Sequence, residues 1–162
     1  MPISLPDVER CYFCEIVRSH ERWNIVEDAG VTFTMLNGRQ YETGQCIVVP
    51  TRHAPTLLDL SVEEEAAVLA AARRAMRSLV SALNPDGVLL YQNNGIGSGQ
   101  EVPHFHLHVV PRTPGSDWGF GPPHLARLER SRPAHLDHTV VTDAKRHTAD
   151  LIRRHYESAA AT

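Results

Sequence analysis

The chain has 162 residues, 42% of them hydrophobic, and a formal net charge of −3 with its ten histidines neutral. This length supports one domain with a real core but not a barrel of eight βα units, which needs about 250 residues, and no run approaches the roughly 18 apolar residues of a membrane span. The arginines are scattered among acids, so neither a nucleic acid nor a membrane surface is an expected partner, and the lead Met-Pro-Ile-Ser-Leu-Pro lacks the basic flank and apolar run of a signal peptide, which points to a cytoplasmic location.

In a reducing compartment three cysteines do not suggest a disulfide framework, which leaves Cys11-x-x-Cys14 to be explained. A short Cys pair is a metal half-site, because two thiolates two residues apart can share one tetrahedral ion. It is also a redox motif, although such motifs follow a strand and no strand signal precedes Cys11. Residues Trp23 to Glu27 and Val31 to Leu36 read as two strands joined by Asp28-Ala29-Gly30, and Asn37-Gly38 ends the second. Gln45 to Pro50 is a nearly continuous apolar run, the pattern of a central strand in which Cys46 simply packs.

Ser61-Val-Glu-Glu64 is a capping box opening a helix, with Val68, Leu69, Ala72, Met76, Leu79, Val80 and Leu83 as its apolar positions. Asn84-Pro85-Asp86-Gly87 closes it, Val88 to Gln92 forms another strand, and the flexible Asn94-to-Gly99 segment follows. His104-Phe-His-Leu-His108-Val-Val then alternates three imidazoles with apolar residues. Period 2 predicts a strand with all three rings on one face, at about 6.5 to 7 Å spacing. Imidazole can be nucleophile, proton carrier or metal ligand near neutral pH, so the row is the first candidate for chemistry. Beyond Thr113 the chain turns Pro- and Gly-rich, carries Trp118 and Phe120 in a loop, and ends in a helix from about Thr142 to Tyr156 with Ala144, Leu151 and Ile152 as its apolar face.

This histidine row, with Gly99-Gln100 before it and Pro111-Arg112 after it, resembles the signature of the histidine triad superfamily. Phe13-Cys-Glu-Ile-Val17, Leu36-Asn37 and Val48-Val-Pro-Thr-Arg-His53 resemble its other blocks, so the likeness runs collinearly over about residues 10–113 of a single 1–162 domain, with a C-terminal loop and helix over 114–162. The resemblance implies an α+β fold with a five-stranded antiparallel sheet, one long helix and homodimers that share a ten-stranded sheet.

It also implies a nucleotidyl hydrolase or transferase acting at the α-phosphate of nucleotide conjugates, an AMP or GMP derivative being the expected small-molecule ligand. His106 takes the role of nucleophile and His108 that of phosphate contact. Gly99, Gln100 and the backbone of Val102 become the phosphate turn, and Asn93 sits at the reacting bridge. Asn37 becomes the ribose contact, with Phe13, Ile16 and Leu36 in the base pocket. One zinc-bearing group in the superfamily carries the Cys-x-x-Cys pattern, and the likeness assigns Cys11, Cys14, His53 and His104 to a structural zinc. Glu101 departs from the pattern, placing a carboxylate where a hydroxyl is common. Asn37 and Arg112 lean toward dinucleoside polyphosphates over phosphoramidates as substrates. Two other functions compete: a nucleotide-binding regulatory module with little turnover, and a zinc hydrolase with the three histidines as ligands.

Overall fold

The computed structural model describes residues 3–19, 22–113 and 142–159; Trp118 and Phe120 lie outside them. Helix α1 (Tyr12–Arg18) leads into strands β1 (Ile25–Asp28), β2 (Thr32–Leu36) and β3 (Cys46–Pro50). The long helix α2 (Val62–Leu83) crosses to β4 (Gly87–Tyr91), β5 (Leu107–Arg112) follows, and α3 (Asp143–Ala159) closes the order. The five strands form one sheet in the order β1-β2-β3-β5-β4, with every pairing antiparallel.

Local chemistry accounts for these elements. Gly30 takes the left-handed conformation (φ 78°) between β1 and β2, and its N–H donates to Asp28 Oδ1 at 3.0 Å. The Ser61 hydroxyl accepts from Glu64 N–H at 3.2 Å while the Glu64 carboxylate accepts from Ser61 N–H at 2.8 Å, a reciprocal cap on α2. Asn84 ends that helix in the left-handed region, φ 47°.

Strand alternation splits the core in two. Val26, Leu36, Cys46, Val48, Leu107 and Val109 pack with Val68, Ala72 and Leu79 of α2 and Ala149, Ile152 and Tyr156 of α3. On the other face, Ile25, Phe33, Met35, Ile47 and Val49 pack with Phe13 of α1.

Three expectations shift. Leu69 and Val80 do not join the α2 core face: they are 65% and 50% exposed, because the sheet engages only one side of this helix. In α3 the buried face is Lys145, Ala149, Ile152 and Tyr156, at spacings of four, three and four, and Ala144 is exposed. The histidine row is not one strand. β5 begins at Leu107, and His104 and His106 precede it. His104 N–H turns back to Val102 O at 2.8 Å and Phe105 N–H donates to Ala54 O at 2.6 Å, which takes this stretch off the β3 ladder.

Candidate active site and metal centre

His108 enters the site from the ladder. It pairs with Ile47 of β3 and Tyr91 of β4, and so shares the α1 face of the sheet. Its ring stacks on Tyr91 with centroids 4.2 Å apart and planes 8° from parallel. His106 lies beside it, with ring centroids 4.9 Å apart, and Phe13 packs against His106 at 5.0 Å. Burial lowers the pKa of both imidazoles, well below the ordinary histidine value for His108, which favours neutral rings.

The tautomer of His106 follows from its partner. Nδ1 lies 2.8 Å from the backbone carbonyl of His104, and a carbonyl only accepts, so Nδ1 carries the proton and Nε2 keeps its lone pair. A neutral imidazole with an unprotonated nitrogen beside a second imidazole has the chemistry for nucleophilic attack next to a group able to meet an anion.

His104 belongs to a different cluster. Its Nε2 donates to Pro50 O at 2.9 Å, leaving the Nδ1 lone pair 3.3 Å from Cys11 Sγ and 3.6 Å from Cys14 Sγ. His53 Nδ1 lies 3.4 Å from Cys14 Sγ, and the four donor atoms all fall within 4.8 Å of one another. A tetrahedral ion with bonds of about 2.3 Å to sulfur and about 2.0 Å to nitrogen would separate N and S by about 3.5 Å, so this donor set fits a divalent metal. Cys11 caps the N-terminus of α1 and Cys14 sits one turn in, so the helix presents both thiols together. Burial and the neighbouring Cys11 push Cys14 up to about 11, and burial pushes His104 down to about 4, a neutral ligand. A guanidinium braces the loop of His53: Arg52 grips both carboxylate oxygens of Glu64 at 2.8 and 2.6 Å and donates to Asp59 O at 2.8 Å. Because His104 Nδ1 faces the thiols, the three histidines do not converge on one ion.

The other predicted residues divide. Phe13 and Ile16 sit on the site's face of the sheet. Leu36 does not: alternation turns it into the α2 core with no exposed surface, so its expected place in a base pocket does not hold, and Met35 is the β2 neighbour that faces Phe13. Asn37 follows β2, and its Oδ1 accepts from Arg39 N–H at 3.3 Å. Gly99 is left-handed (φ 84°), with its carbonyl 3.4 Å from Asn93 Nδ2. The Gln100 side chain serves the loop itself: Nε2 donates to Pro55 O and Val102 O at 2.7 and 2.9 Å, and Oε1 accepts from Gly95 N–H at 2.6 Å. Val102 packs against the Phe13 cluster.

Glu101 forms an ion pair with Arg39, which ties the segment after Asn37 to the segment after Gln100. Arg112 pairs with Glu42 at 3.2 Å, so its charge is already engaged by a carboxylate. Cys46 is wholly buried, and burial pushes its thiol up to about 12, an inert packing group. Two neighbours of the candidate site were not read from the sequence, Gln45 and Tyr91, both of which touch the His108 ring. The signal for Gln45 was available: a lone amide immediately before an otherwise apolar strand.

The family model for the HIT domain matches residues 24–115, more than half of the chain. The chain belongs to the HIT family. It is 28% identical over 139 residues to Protein hit of Bacillus subtilis (strain 168), covering 85% of this chain and 94% of that protein. It is 28% identical over 111 residues to the adenosine 5′-monophosphoramidase hnt1 of Schizosaccharomyces pombe, covering 68% and 80% of the two chains. The crystal structure of a Zn-bound histidine triad family protein from Mycobacterium smegmatis superimposes with a TM-score of 0.73, over 93% of this chain and 96% of that one, at 24% identity. That last likeness establishes the HIT fold. No helix among the described residues is long and apolar enough to cross a membrane.

Proposed function

We propose that this HIT protein is a nucleotidyl hydrolase or transferase that cleaves nucleotide conjugates at the α-phosphate and releases a purine mononucleotide. The observation that carries the reading is the His106 ring, with Nδ1 donating to His104 O and Nε2 left as a lone pair 4.9 Å, ring to ring, from His108. Nε2 of His106 attacks the α-phosphorus, a P–N bond forms, and the P–O or P–N bond to the leaving group breaks. Water then attacks the same phosphorus, the bond to His106 breaks, and the ring returns to its starting state.

In this reading His108 contacts the nonbridging oxygens, and Asn93, Gly99, Gln100 and the Val102 backbone shape the phosphate turn. Asn37 meets the ribose, and Phe13 and Ile16 meet the base. A phosphoramidate is favoured as substrate over a dinucleoside polyphosphate, because Arg112, the cation that leaned toward polyphosphate, is paired with Glu42, and a similar yeast protein is a monophosphoramidase.

Cys11, Cys14, His53 and His104 would hold one zinc ion. A closed set of four protein ligands gives it a structural part, pinning α1 to the segment that carries His106.

A homodimer is also part of the proposal. β4 is an edge strand, and Val62, Leu69 and Val80 lie within about 20° of one another on the α2 wheel, 82%, 65% and 50% exposed. Leu90 of β4 adds a further exposed apolar side chain. Pairing β4 with its counterpart in a second copy would extend the sheet to ten strands and cover the α2 stripe.

The test is incubation with adenosine phosphoramidates and diadenosine polyphosphates, followed by intact-mass and peptide analysis. An AMP adduct on His106 and release of AMP are expected. Absence of both with every substrate would overturn the reading.

A further inference from the structure

Gln45 immediately precedes β3 and has no exposed surface, and no step above uses it. Chemistry orients its amide. Tyr41 N–H can only donate, so the atom it meets at 3.0 Å is Oε1. The NH₂ end then points at Nδ1 of His108, 3.1 Å away. An amide NH₂ only donates, so Nδ1 must hold a lone pair, and the single proton of a neutral ring sits on Nε2. Tyr91, stacked in parallel at 4.2 Å, fixes the ring plane, and His108 itself is only 9% exposed, which leaves little room to rotate.

The neighbouring imidazole is set the opposite way, with its proton on Nδ1 and its lone pair on Nε2. Two chemically identical side chains are thereby made different by what each is bonded to: a carbonyl for His106, an amide NH₂ for His108.

We propose that Gln45 is a positioning residue that holds His108 in the Nε2–H tautomer, making that ring a hydrogen-bond donor to the phosphoryl oxygen on which negative charge grows as His106 attacks. The catalytic half of this inference rests on the reading of His106 and His108 given above; the tautomer half stands on geometry alone. A donor preorganised on a developing oxyanion contributes where charge appears and needs no reorientation during the reaction. In this proposal Gln45 acts through the His108 ring and not on the substrate itself, and it also hydrogen-bonds the Tyr91 hydroxyl stacked over that ring.

Long-range ¹⁵N–¹H spectra of histidine-labelled full-length protein test the assignment, with His108→Asn identifying the His108 signals by their loss. The native ring is expected to show a protonated Nε2 and an unprotonated Nδ1. In Gln45→Glu the carboxylate still accepts from Tyr41 N–H at nearly unchanged volume, but it also accepts from Nδ1, so the proton moves to Nδ1. The kcat is then expected to fall about 10²-fold with KM changed far less. Gln45→Leu is expected to give a mixture of tautomers and an intermediate kcat. A native ring protonated on Nδ1 would overturn the proposal, as would a Gln45→Glu protein with the native ¹⁵N pattern. A shifted tautomer with native kcat would overturn its catalytic half. If the native protein turns over no nucleotide conjugate, the proposed function fails while the ¹⁵N result still decides the tautomer.

Discussion

The Nδ1–H of His106 donates to the main-chain carbonyl of His104 at 2.8 Å, while the His104 side chain turns away to face Cys11 and Cys14. One residue thus serves two sites: its ring belongs to the Cys/His donor set and its backbone fixes the tautomer of the proposed nucleophile.

Replacing His106 by Ala is expected to reduce hydrolysis by at least about 10³-fold and to abolish the nucleotide adduct, since its Nε2 is the atom that forms the P–N bond in the proposed mechanism. The fold should survive, because the ring packs at the edge of the Phe13 cluster rather than in the α2 core. Steady-state AMP release and intact mass check the first point, and far-ultraviolet circular dichroism the second.

Cys14→Ser is expected to lower bound zinc from about one per chain to a small fraction and to destabilise the fold by several kcal/mol, because metal binding to a site assembled only on folding is folding energy. Elemental analysis and chemical denaturation read the two effects. Residual activity should persist in proportion to the protein still folded, as expected of a structural ion and not of one that activates water.

The Arg52–Glu64 pair predicts a pH effect of definite sign. Hydrogen bonds from Arg52 foremost hold the Glu64 carboxyl down to about 2, against an ordinary 4.5. The folded value lies below the unfolded one, so the contribution is complete above about pH 4.5 and fades as pH falls through about 2. Arg52 is 55% exposed, and solvent screening keeps the contribution small. Glu64→Gln should therefore be less stable than the native protein near neutral pH, and urea denaturation should show the gap closing in strong acid.

Lys145 is 6% exposed and donates from α3 to the carbonyl of Gly38 at 3.0 Å, tying the C-terminal helix to the segment after Asn37. Lys145→Met keeps the apolar stem but removes this donor. A loss of about 1 to 3 kcal/mol is expected by thermal or urea denaturation, together with a KM increase for nucleotide conjugates exceeding the change in kcat.

Leu69→Glu combined with Val80→Glu puts two charges on the exposed α2 stripe. Light scattering is expected to find the native protein dimeric and this variant monomeric, with secondary structure retained. A monomeric native protein would overturn the dimer proposal.

The sequence exposed the α2 cap, the turn at Gly30, the central β3 run and the Cys pair, because each is a local pattern: a capping box, a left-handed glycine, an apolar run, a Cys-x-x-Cys; His53 and His104, which the structure groups with that pair, were named only through the family resemblance. It misjudged what depends on which side meets what. Leu36 looked like a pocket residue, yet alternation sends it under α2. Leu69 and Val80 looked like core, yet the sheet packs on only one side of the helix. Lys145, 6% exposed, carries no mark of its burial in the sequence around it.

The three histidines show the division most clearly. By itself the sequence determined that three imidazoles stand two residues apart next to a Gly-Gln turn, in a chain with a Cys pair and a HIT-like order of elements. Their tautomers were decided only by tertiary structure. Pro50 O, His104 O and the Gln45 amide come from residues two to 63 positions away in the chain, and an imidazole has no fixed tautomer until such a partner is placed against one of its nitrogens.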